Sequence, residues 1–227
     1  TNVSHDIKTP LTSIVNYVDL LKTAGLNSEQ APEYLAVLDR QSARLKKLTE
    51  DLVEASKAST GNLKVELGPV DLGELLVQVT GEYEDRLRQA GISPVVQSPE
   101  EPIIAMGDGR YLWRIIDNLL SNVRKYALPG TRVYIDASVL DGAAVISVKN
   151  ISRDRLNVSA DELMRRFVRG DASRNTEGSG LGLSIAQSLA VLMHGKLSLT
   201  VDGDLFKAEL SLPLAEQTME AMPEKTE

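Results

Sequence analysis

Near its start the chain reads Ser4-His5-Asp6-Ile7-Lys8-Thr9-Pro10-Leu11-Thr12, and a long apolar repeat begins within this stretch. Apolar residues recur there at alternating intervals of four and three residues, namely Ile7, Leu11, Ile14, Val18 and Leu21. Such a repeat predicts a helix that packs along one stripe and presents His5, Thr9 and Thr12 on another face. Pro10 is expected to bend this helix, because its ring lacks an N–H donor and clashes with the preceding turn.

A histidine beside an acidic residue is the most reactive feature of this helix. His5 is one of two histidines in the chain, and Asp6 follows it directly. A solvent-facing imidazole with a carboxylate neighbour can act as a nucleophile or as a proton carrier. The same pair is typical of an ordinary polar helix surface, so its interpretation depends on the rest of the sequence.

A second helix with the same kind of repeat is predicted from residue 32 to residue 58. Its stripe is apolar except at Gln41 and consists of Tyr34, Leu38, Gln41, Leu45, Leu48, Leu52 and Ala55. Gly25 and Asn27 end the first helix, and the short turn predicts an antiparallel hairpin. Because two helices bury too little apolar surface to be stable alone, we expect two copies of the chain to form a four-helix bundle.

The composition is that of an ordinary globular protein, with 42% hydrophobic and 25% charged residues among 227. A net charge of −7 argues against nucleic acid as the main partner, since no basic surplus is present to bind phosphates. The absence of cysteine excludes disulfides and thiolate metal sites. The acidic residues 215–227 lack periodicity and are predicted to be disordered.

Beyond a linker at residues 59–62 the pattern changes to short strands and helices. Strands are predicted at residues 63–67, 92–96, 103–106, 132–139, 143–148, 196–201 and 205–212. Helices are predicted at residues 71–90, 108–127, 160–167 and 181–193. Asp141-Gly142 predicts a tight hairpin between two of the strands. This mixture favours an α/β sandwich with helices on one face of a largely antiparallel sheet.

The predicted helix 108–127 carries polar residues suited to a magnesium–nucleotide complex. Asn118, Asn122 and Lys125 follow one another at steps of four and three, and Tyr126 comes next. An amide oxygen is a hard ligand suited to Mg²⁺, which takes further ligands from phosphates, and a lysine neutralises phosphate charge. A polar helix face without any ligand would show the same pattern, so this signal is ambiguous alone.

A glycine-rich stretch, Asn175-Thr176-Glu177-Gly178-Ser179-Gly180-Leu181-Gly182-Leu183, leads into the predicted helix 181–193. Glycines let the backbone approach a ligand closely, and a helix N-terminus offers unpaired N–H groups to an anion. The spacing matches neither a P-loop nor the dinucleotide fingerprint. The stretch is therefore either a phosphate cradle or a flexible connection.

The order of these signals resembles that of the bacterial sensor histidine kinases over nearly the whole chain. Residues 4–12 resemble their H box, 118–126 their N box, 167–169 their F box and 178–183 their second glycine box. The resemblance implies an α+β protein in which a helical hairpin, forming a dimeric four-helix bundle, precedes an α/β sandwich ATP-binding domain of the histidine kinase, gyrase and Hsp90 type. The implied divisions are 1–60 for dimerisation and histidine phosphotransfer, 61–214 for ATP binding, and 215–227 for a disordered tail.

The resemblance also implies chemistry: autophosphorylation of His5 from Mg-ATP, followed by transfer to an aspartate of a response regulator, with phosphatase activity as a reverse duty. His5 would be the nucleophile, Asp6 would orient it, Thr9 would position water, and Arg169 would stabilise the moving phosphoryl group. The implied ATP-binding residues are Asn118, Asn122, Lys125, Tyr126, Asn150, Phe167, Arg169, Gly178, Ser179, Gly180, Leu181, Gly182 and Leu183. Asn122 would also be the Mg²⁺ ligand.

One box departs from the family pattern. Where the family has Asp-x-Gly-x-Gly, with the Asp accepting from the adenine amino group, this chain has Asn150-Ile151-Ser152-Arg153-Asp154. An Asn oxygen still accepts a hydrogen bond but carries no charge, and side chains at both glycine positions require a different turn. A phosphatase-dominant or weakly ATP-binding scaffold of the same family is therefore the alternative. A related ATPase or an anti-sigma-type serine kinase is disfavoured by the His-Asp-x-x-x-Pro run.

The implied partners are a second copy of the chain, through the hairpin, and the receiver domain of a response regulator. Nucleic acid is not expected. The resemblance implies the cytoplasmic portion of a membrane-anchored bacterial protein, which would reach the membrane only through a missing N-terminal region.

Overall fold

The computed structural model describes residues 2–26, 28–97, 99, 101–156, 159–164 and 180–215. Its helices are α1 (Asn2–Ala24), α2 (Ala31–Ser59), α3 (Leu72–Gln89), α4 (Gly109–Tyr126), α5 (Ala160–Met164) and α6 (Gly182–Leu192). No described helix combines the length and the apolar character that a bilayer span requires.

The strands of the described residues form two sheets. They are β1 (Gly68–Asp71), β2 (Ser93–Gln97), β3 (Ile104–Gly107), β4 (Arg132–Leu140), β5 (Ala143–Ile151), β6 (Lys196–Asp202) and β7 (Leu205–Pro213). Strands β1 and β3 pair in a small antiparallel sheet. The large sheet has the order β2-β4-β5-β7-β6, in which β2 and β4 are parallel and the other pairs are antiparallel.

The core lies between the large sheet and the helices on one of its faces. Helix α3 packs on β2 and β4, α6 packs on β6 and β7, and α4 contacts both of these helices. The central strand β5 is buried at five consecutive residues, Ala144 to Val148, and Ala144, Ile146 and Val148 on one of its faces are at most 1% exposed. The predicted α/β sandwich with a largely antiparallel sheet is confirmed.

Capping residues explain where two of the helices begin. The side chain of Asp71 accepts from the backbone N–H groups of Gly73 and Glu74, at 2.8 and 3.2 Å, before α3. Asp108 accepts from the N–H of Arg110 at 3.1 Å before α4. Each carboxylate satisfies donors that have no partner within their helix.

Two of the sequence predictions are wrong in detail. Residues 63–67 alternate like a strand but form none, and the strand lies at Gly68–Asp71 instead, where β3 offers backbone partners. The predicted disordered tail begins too early, because Ala215 is 4% exposed and Leu214 bridges to Ala105. Residues 216–227 lie outside the described residues.

The chain divides into two compact units, Thr1–Ser56 and Lys57–Glu227. The first is the helical hairpin, in which the rings of Tyr17 and Tyr34 meet edge to face at 5.6 Å. Of the predicted stripe on α1, Leu21 is 8% exposed whereas Leu11 is 48% exposed. The hairpin by itself therefore leaves part of its apolar stripe uncovered.

Candidate nucleotide-binding site and phospho-acceptor helix

The centre of the candidate site is a buried carboxamide on α4 that faces the start of α6. Asn118 is 8% exposed, and its Nδ2 has no hydrogen-bond partner among the described residues. Its Oδ1 lies so near Gly182 that a Cβ atom added there would be 3.3 Å away. A buried amide donor without a partner typically costs about 1–3 kcal/mol, so a ligand that accepts this hydrogen bond would be favoured here.

Helix α6 begins without a side-chain cap. Leu181 occupies the N-cap position and makes no side-chain capping bond, and Gly180 before it has a φ of +66°. The hydroxyl of Ser184 donates to the carbonyl of Leu181 at 2.9 Å. The Leu181 side chain thus offers no acceptor to the first turn of α6, and this turn lies beside Asn118, where its N–H groups can face an anion.

A polar cluster holds α4 against α3 directly beside Asn118. The hydroxyl of Tyr83 donates to the Asp117 carboxylate at 2.5 Å, and Arg114 Nη1 lies 3.3 Å from the other carboxylate oxygen. Burial of the ring, and then the hydrogen bond to Asp117, raise the pKa of Tyr83 above its ordinary value. The phenol stays neutral and donates, so the bond fixes the rotation of α4 on α3.

Asp108 joins the start of α4 to the segment that precedes β1. Its side chain accepts from the N–H of Glu66 at 3.0 Å and from Arg110 Nη2 at 2.8 Å. The hydrogen bonds from Arg110 outweigh burial and lower the pKa of Asp108 to about 2. The carboxylate is therefore ionised at neutral pH and secures both the helix and the segment.

The other predicted residues of α4 are half-buried: Asn122, Lys125 and Tyr126. Asn122 lies one turn beyond Asn118, so its amide oxygen is a hard ligand on the same side of the helix. Within the described residues, no three His, Cys, Asp or Glu side chains cluster closely enough to hold a metal ion.

The divergent box lies at the end of β5. Asn150 is 5% exposed and lies on the same face of β5 as Ile146 and Val148. Ser152 is 6% exposed, and neither Ser152 nor Asp154 has a positive φ. The backbone at these two positions therefore does not need glycine, and the turn differs from the glycine-containing turn of the family, as predicted from the side chains at 152 and 154.

The phospho-acceptor candidate lies within α1. The backbone of His5 is helical, and its side chain is outside the described part of the structure. On the same helix Asp6 is half-buried and Thr9 and Thr12 are exposed. Four further predicted site residues, Phe167, Arg169, Gly178 and Ser179, lie outside the described residues.

Sequence reasoning missed Tyr83 and Asp108, which hold α4 in place, and Arg153, whose Nη2 donates to the carbonyl of Lys125 at 3.1 Å. Asp108 could have been found as a capping residue before a helix with an arginine two positions later. Tyr83 and Arg153 act on partners 34 and 28 residues away, and no local pattern signals such contacts.

Two family models match the chain in the order that the fold suggests. Residues 1–61 match the His Kinase A (phospho-acceptor) domain. Residues 107–216 match the histidine kinase-, DNA gyrase B-, and HSP90-like ATPase. The chain belongs to the sensor histidine kinases of bacterial two-component systems and represents their catalytic core.

Individual relatives agree with this assignment. The chain is 31% identical to the sensor protein VanS of Enterococcus faecium over 199 residues, which cover 85% of the chain and 50% of VanS. It is 28% identical to the probable sensor histidine kinase TcrY of Mycobacterium tuberculosis, over 98% of the chain and 47% of TcrY. The chain thus spans about half the length of these curated relatives.

Solved structures show the same fold. The histidine kinase AdeS of Acinetobacter baumannii superposes with a TM-score of 0.76 at 20% identity, over 93% of this chain and 98% of AdeS. Full-length ShkA in complex with AMPPNP superposes with a TM-score of 0.68 at 27% identity, over 93% of this chain and 44% of ShkA.

Proposed function

We propose that this chain transfers the γ-phosphoryl group of Mg-ATP to His5 and then to an aspartate of a response regulator. The observation that carries the proposal is the buried carboxamide of Asn118, whose Nδ2 has no partner among the described residues, beside the first turn of α6. A phosphate chain placed there would supply acceptors both for that amide and for the helix N–H groups. The nucleotide complex of the related ShkA supports an adenine nucleotide as the ligand.

The binding roles follow from the chemistry of each side chain. Asn122 is proposed to hold Mg²⁺, which would neutralise phosphate charge, while Asn118 and Lys125 approach the phosphates. Tyr126 would contact the nucleotide, and Asn150 would accept from the adenine amino group. The backbone N–H groups of residues 180–183 would hold the phosphate chain, with Phe167, Gly178 and Ser179 completing the pocket.

Phosphoryl transfer would then depend on positioning and electrostatics. One ring nitrogen of His5 forms the new bond to the γ-phosphorus as the bond to the β–γ bridging oxygen breaks, and ADP leaves. Asp6 accepts from the other ring N–H and thereby raises the nucleophilicity of the neutral imidazole. Arg169 would stabilise the charge on the moving group, and Thr9 would position water when the chain dephosphorylates its partner.

The partners and the location are proposed on the same basis. A second copy would pair through α1 and α2, and the receiver domain of a response regulator would dock on the hairpin. The chain would be the cytoplasmic portion of a membrane-anchored bacterial protein, a proposal that fits its covering only 50% and 35% of the length of two of the sensor proteins that it matches.

Labelling with γ-³²P-ATP and Mg²⁺ tests the proposal. We expect the wild-type chain to acquire acid-labile, base-stable phosphate, and His5→Gln to bind nucleotide normally yet remain at background. Asn122→Ala should lose Mg²⁺-dependent binding and labelling together. Undiminished labelling of His5→Gln would refute the phospho-acceptor assignment, and normal Mg²⁺-dependent binding by Asn122→Ala would refute the metal assignment.

The weakly ATP-binding scaffold remains the competing function, and the serine at position 152 in place of glycine favours it. A titration with Mg-ATP separates the two. Saturable binding supports the kinase, whereas a folded chain that dephosphorylates a regulator without binding ATP supports the scaffold.

A further inference from the structure

The segment that replaces the glycine box is fastened to the end of helix α4. The N–H of Arg153 donates to the carbonyl of Tyr126 at 2.8 Å, and its Nη2 donates to the carbonyl of Lys125 at 3.1 Å. In return, the N–H of Leu128 donates to the carbonyl of Ile151 at 2.8 Å. Three hydrogen bonds thus join this short segment to the last turn of α4 and the residues after it.

The same segment is fixed on its other side by the turn between β6 and β7. The N–H of Ser152 donates to the carbonyl of Asp204 at 2.7 Å, which extends the pairing of β5 with β7 by one step. Because neither Ser152 nor Asp154 adopts a positive φ, the segment needs no glycine. Backbone hydrogen bonds thus connect this segment to the large sheet on one side and to the end of α4 on the other.

Arg153 supplies hydrogen-bond donors and a positive charge at the C-terminus of α4. The last carbonyls of an α-helix have no N–H donor within the helix, and their partial negative charge favours a nearby cation. The guanidinium of Arg153 donates to the Lys125 carbonyl, and the backbone N–H of Arg153 donates to the Tyr126 carbonyl. These two carbonyls belong to the residues whose side chains are proposed to contact ATP.

We propose that Arg153 is a positioning residue for nucleotide binding, which clamps the last turn of α4 and so holds Lys125 and Tyr126 toward the nucleotide. This inference rests on the proposed function and names a further determinant of the same site. The inference also gives the divergent box a role. Its segment supports the end of α4 through Arg153, where the family has two conformationally free glycines.

Three variants of the full chain test the clamp by titration with Mg-ATP. We expect Arg153→Ala to raise the Kd by about threefold to tenfold, since one charge-assisted hydrogen bond and one charge near the helix end are lost. Arg153→Lys keeps the charge and one donor and should recover part of the loss. Arg155→Ala is the matched control, because Arg155 is exposed and lies two residues further along, and it should bind like the wild type.

Two additional readouts separate positioning from general stability. The autophosphorylation rate of Arg153→Ala at saturating ATP should equal that of the wild type, so that KM changes and kcat does not. Without nucleotide, hydrogen exchange should accelerate at the amides of residues 123–127 in Arg153→Ala but not in Arg155→Ala. Unchanged exchange together with a Kd within twofold of the wild type would overturn the clamp, as would a parallel loss of kcat and melting temperature.

The proposed function can fail separately. If the wild-type chain binds no ATP while the difference in hydrogen exchange is present, Arg153 stabilises the end of α4. In that case its role in nucleotide binding and the proposed kinase function are both refuted. If the wild type binds ATP and only the exchange and Kd differences are missing, the clamp alone is wrong.

Discussion

Asn118 on α4 and Gly182 on α6 lie close together at the candidate site. The carboxamide is buried, and the space in front of it exists because residue 182 has no side chain. Gly182 lies in the first turn of α6 with an ordinary helical conformation, so alanine would fit its backbone. The glycine is therefore explained by close approach and not by a left-handed turn.

Replacement of Gly182 by alanine should weaken Mg-ATP binding while it changes the free energy of unfolding little. A methyl group at 3.3 Å from Asn118 Oδ1 must shift the carboxamide by a few tenths of an ångström. We expect Gly182→Ala to weaken Mg-ATP binding by about tenfold or more, while the change in unfolding free energy stays within about 1 kcal/mol, because alanine is the better helix former. Titration calorimetry and urea unfolding measure the two quantities.

Gly81→Ala provides the control for this substitution. Gly81 lies on the exposed side of α3, and a Cβ atom there would meet nothing within 4 Å. Alanine should stabilise the protein by about 0.5–1 kcal/mol and leave nucleotide binding unchanged. Equal ATP affinity of Gly182→Ala and Gly81→Ala would show that the Asn118 contact is unimportant.

Helix α4 is held at its start by one ionised side chain. The pKa of Asp108 falls from 3.8 to about 2 on folding. A lowered folded-state pKa means that the carboxylate stabilises the fold above about pH 4, and that this contribution disappears as the pH falls from about 4 toward 2. The full contribution corresponds to roughly 2 kcal/mol.

Asp108→Asn should therefore lower the unfolding free energy at pH 7 by roughly 1–2 kcal/mol, and the difference from the wild type should shrink between pH 4 and pH 2. Asparagine can still cap α4, but it cannot pair as strongly with Arg110. Urea unfolding across this pH range measures the difference. Asp85→Asn, at an exposed position on α3, is the control for the loss of one carboxylate, and a constant gap for Asp108→Asn between pH 4 and pH 2 would contradict the assignment.

Elements with strong local signals could be predicted from the sequence, and contacts between elements could not. Asp71 marks the start of α3 within one residue, and Asp141-Gly142 forms the predicted hairpin with φ values of +51° and +77°. Residues 63–67 alternate like a strand, yet only Gly68–Asp71 finds a partner in β3. The clamp by Arg153 spans 28 residues, so it depends on the arrangement of α4 and β5, which no local pattern encodes.

At the scale of the whole molecule, the apolar surface of the hairpin requires a covering partner. Leu11 and Val15 on α1 are 48% and 51% exposed, and Leu35 and Val53 on α2 are 50% and 52% exposed. Leu11 and Val15 lie one turn apart, and Leu35 and Val53 are separated by five turns, so each pair shares one face of its helix. Because two long helices bury too little apolar surface alone, a second hairpin is the expected cover.

We therefore predict that the chain is a dimer that a single charge on this surface can dissociate. Light scattering should give the wild type a molar mass of twice 24.7 kDa. Val15→Glu places an unpaired carboxylate in the proposed interface, at a cost of several kcal/mol, and should shift the protein toward the mass of one chain. Asn16→Glu adds the same charge at the adjacent exposed polar position and should stay dimeric. If Val15→Glu keeps the wild-type mass, or if both variants dissociate alike, this face of α1 is not the interface, because burial of Val15 is what makes the two substitutions differ.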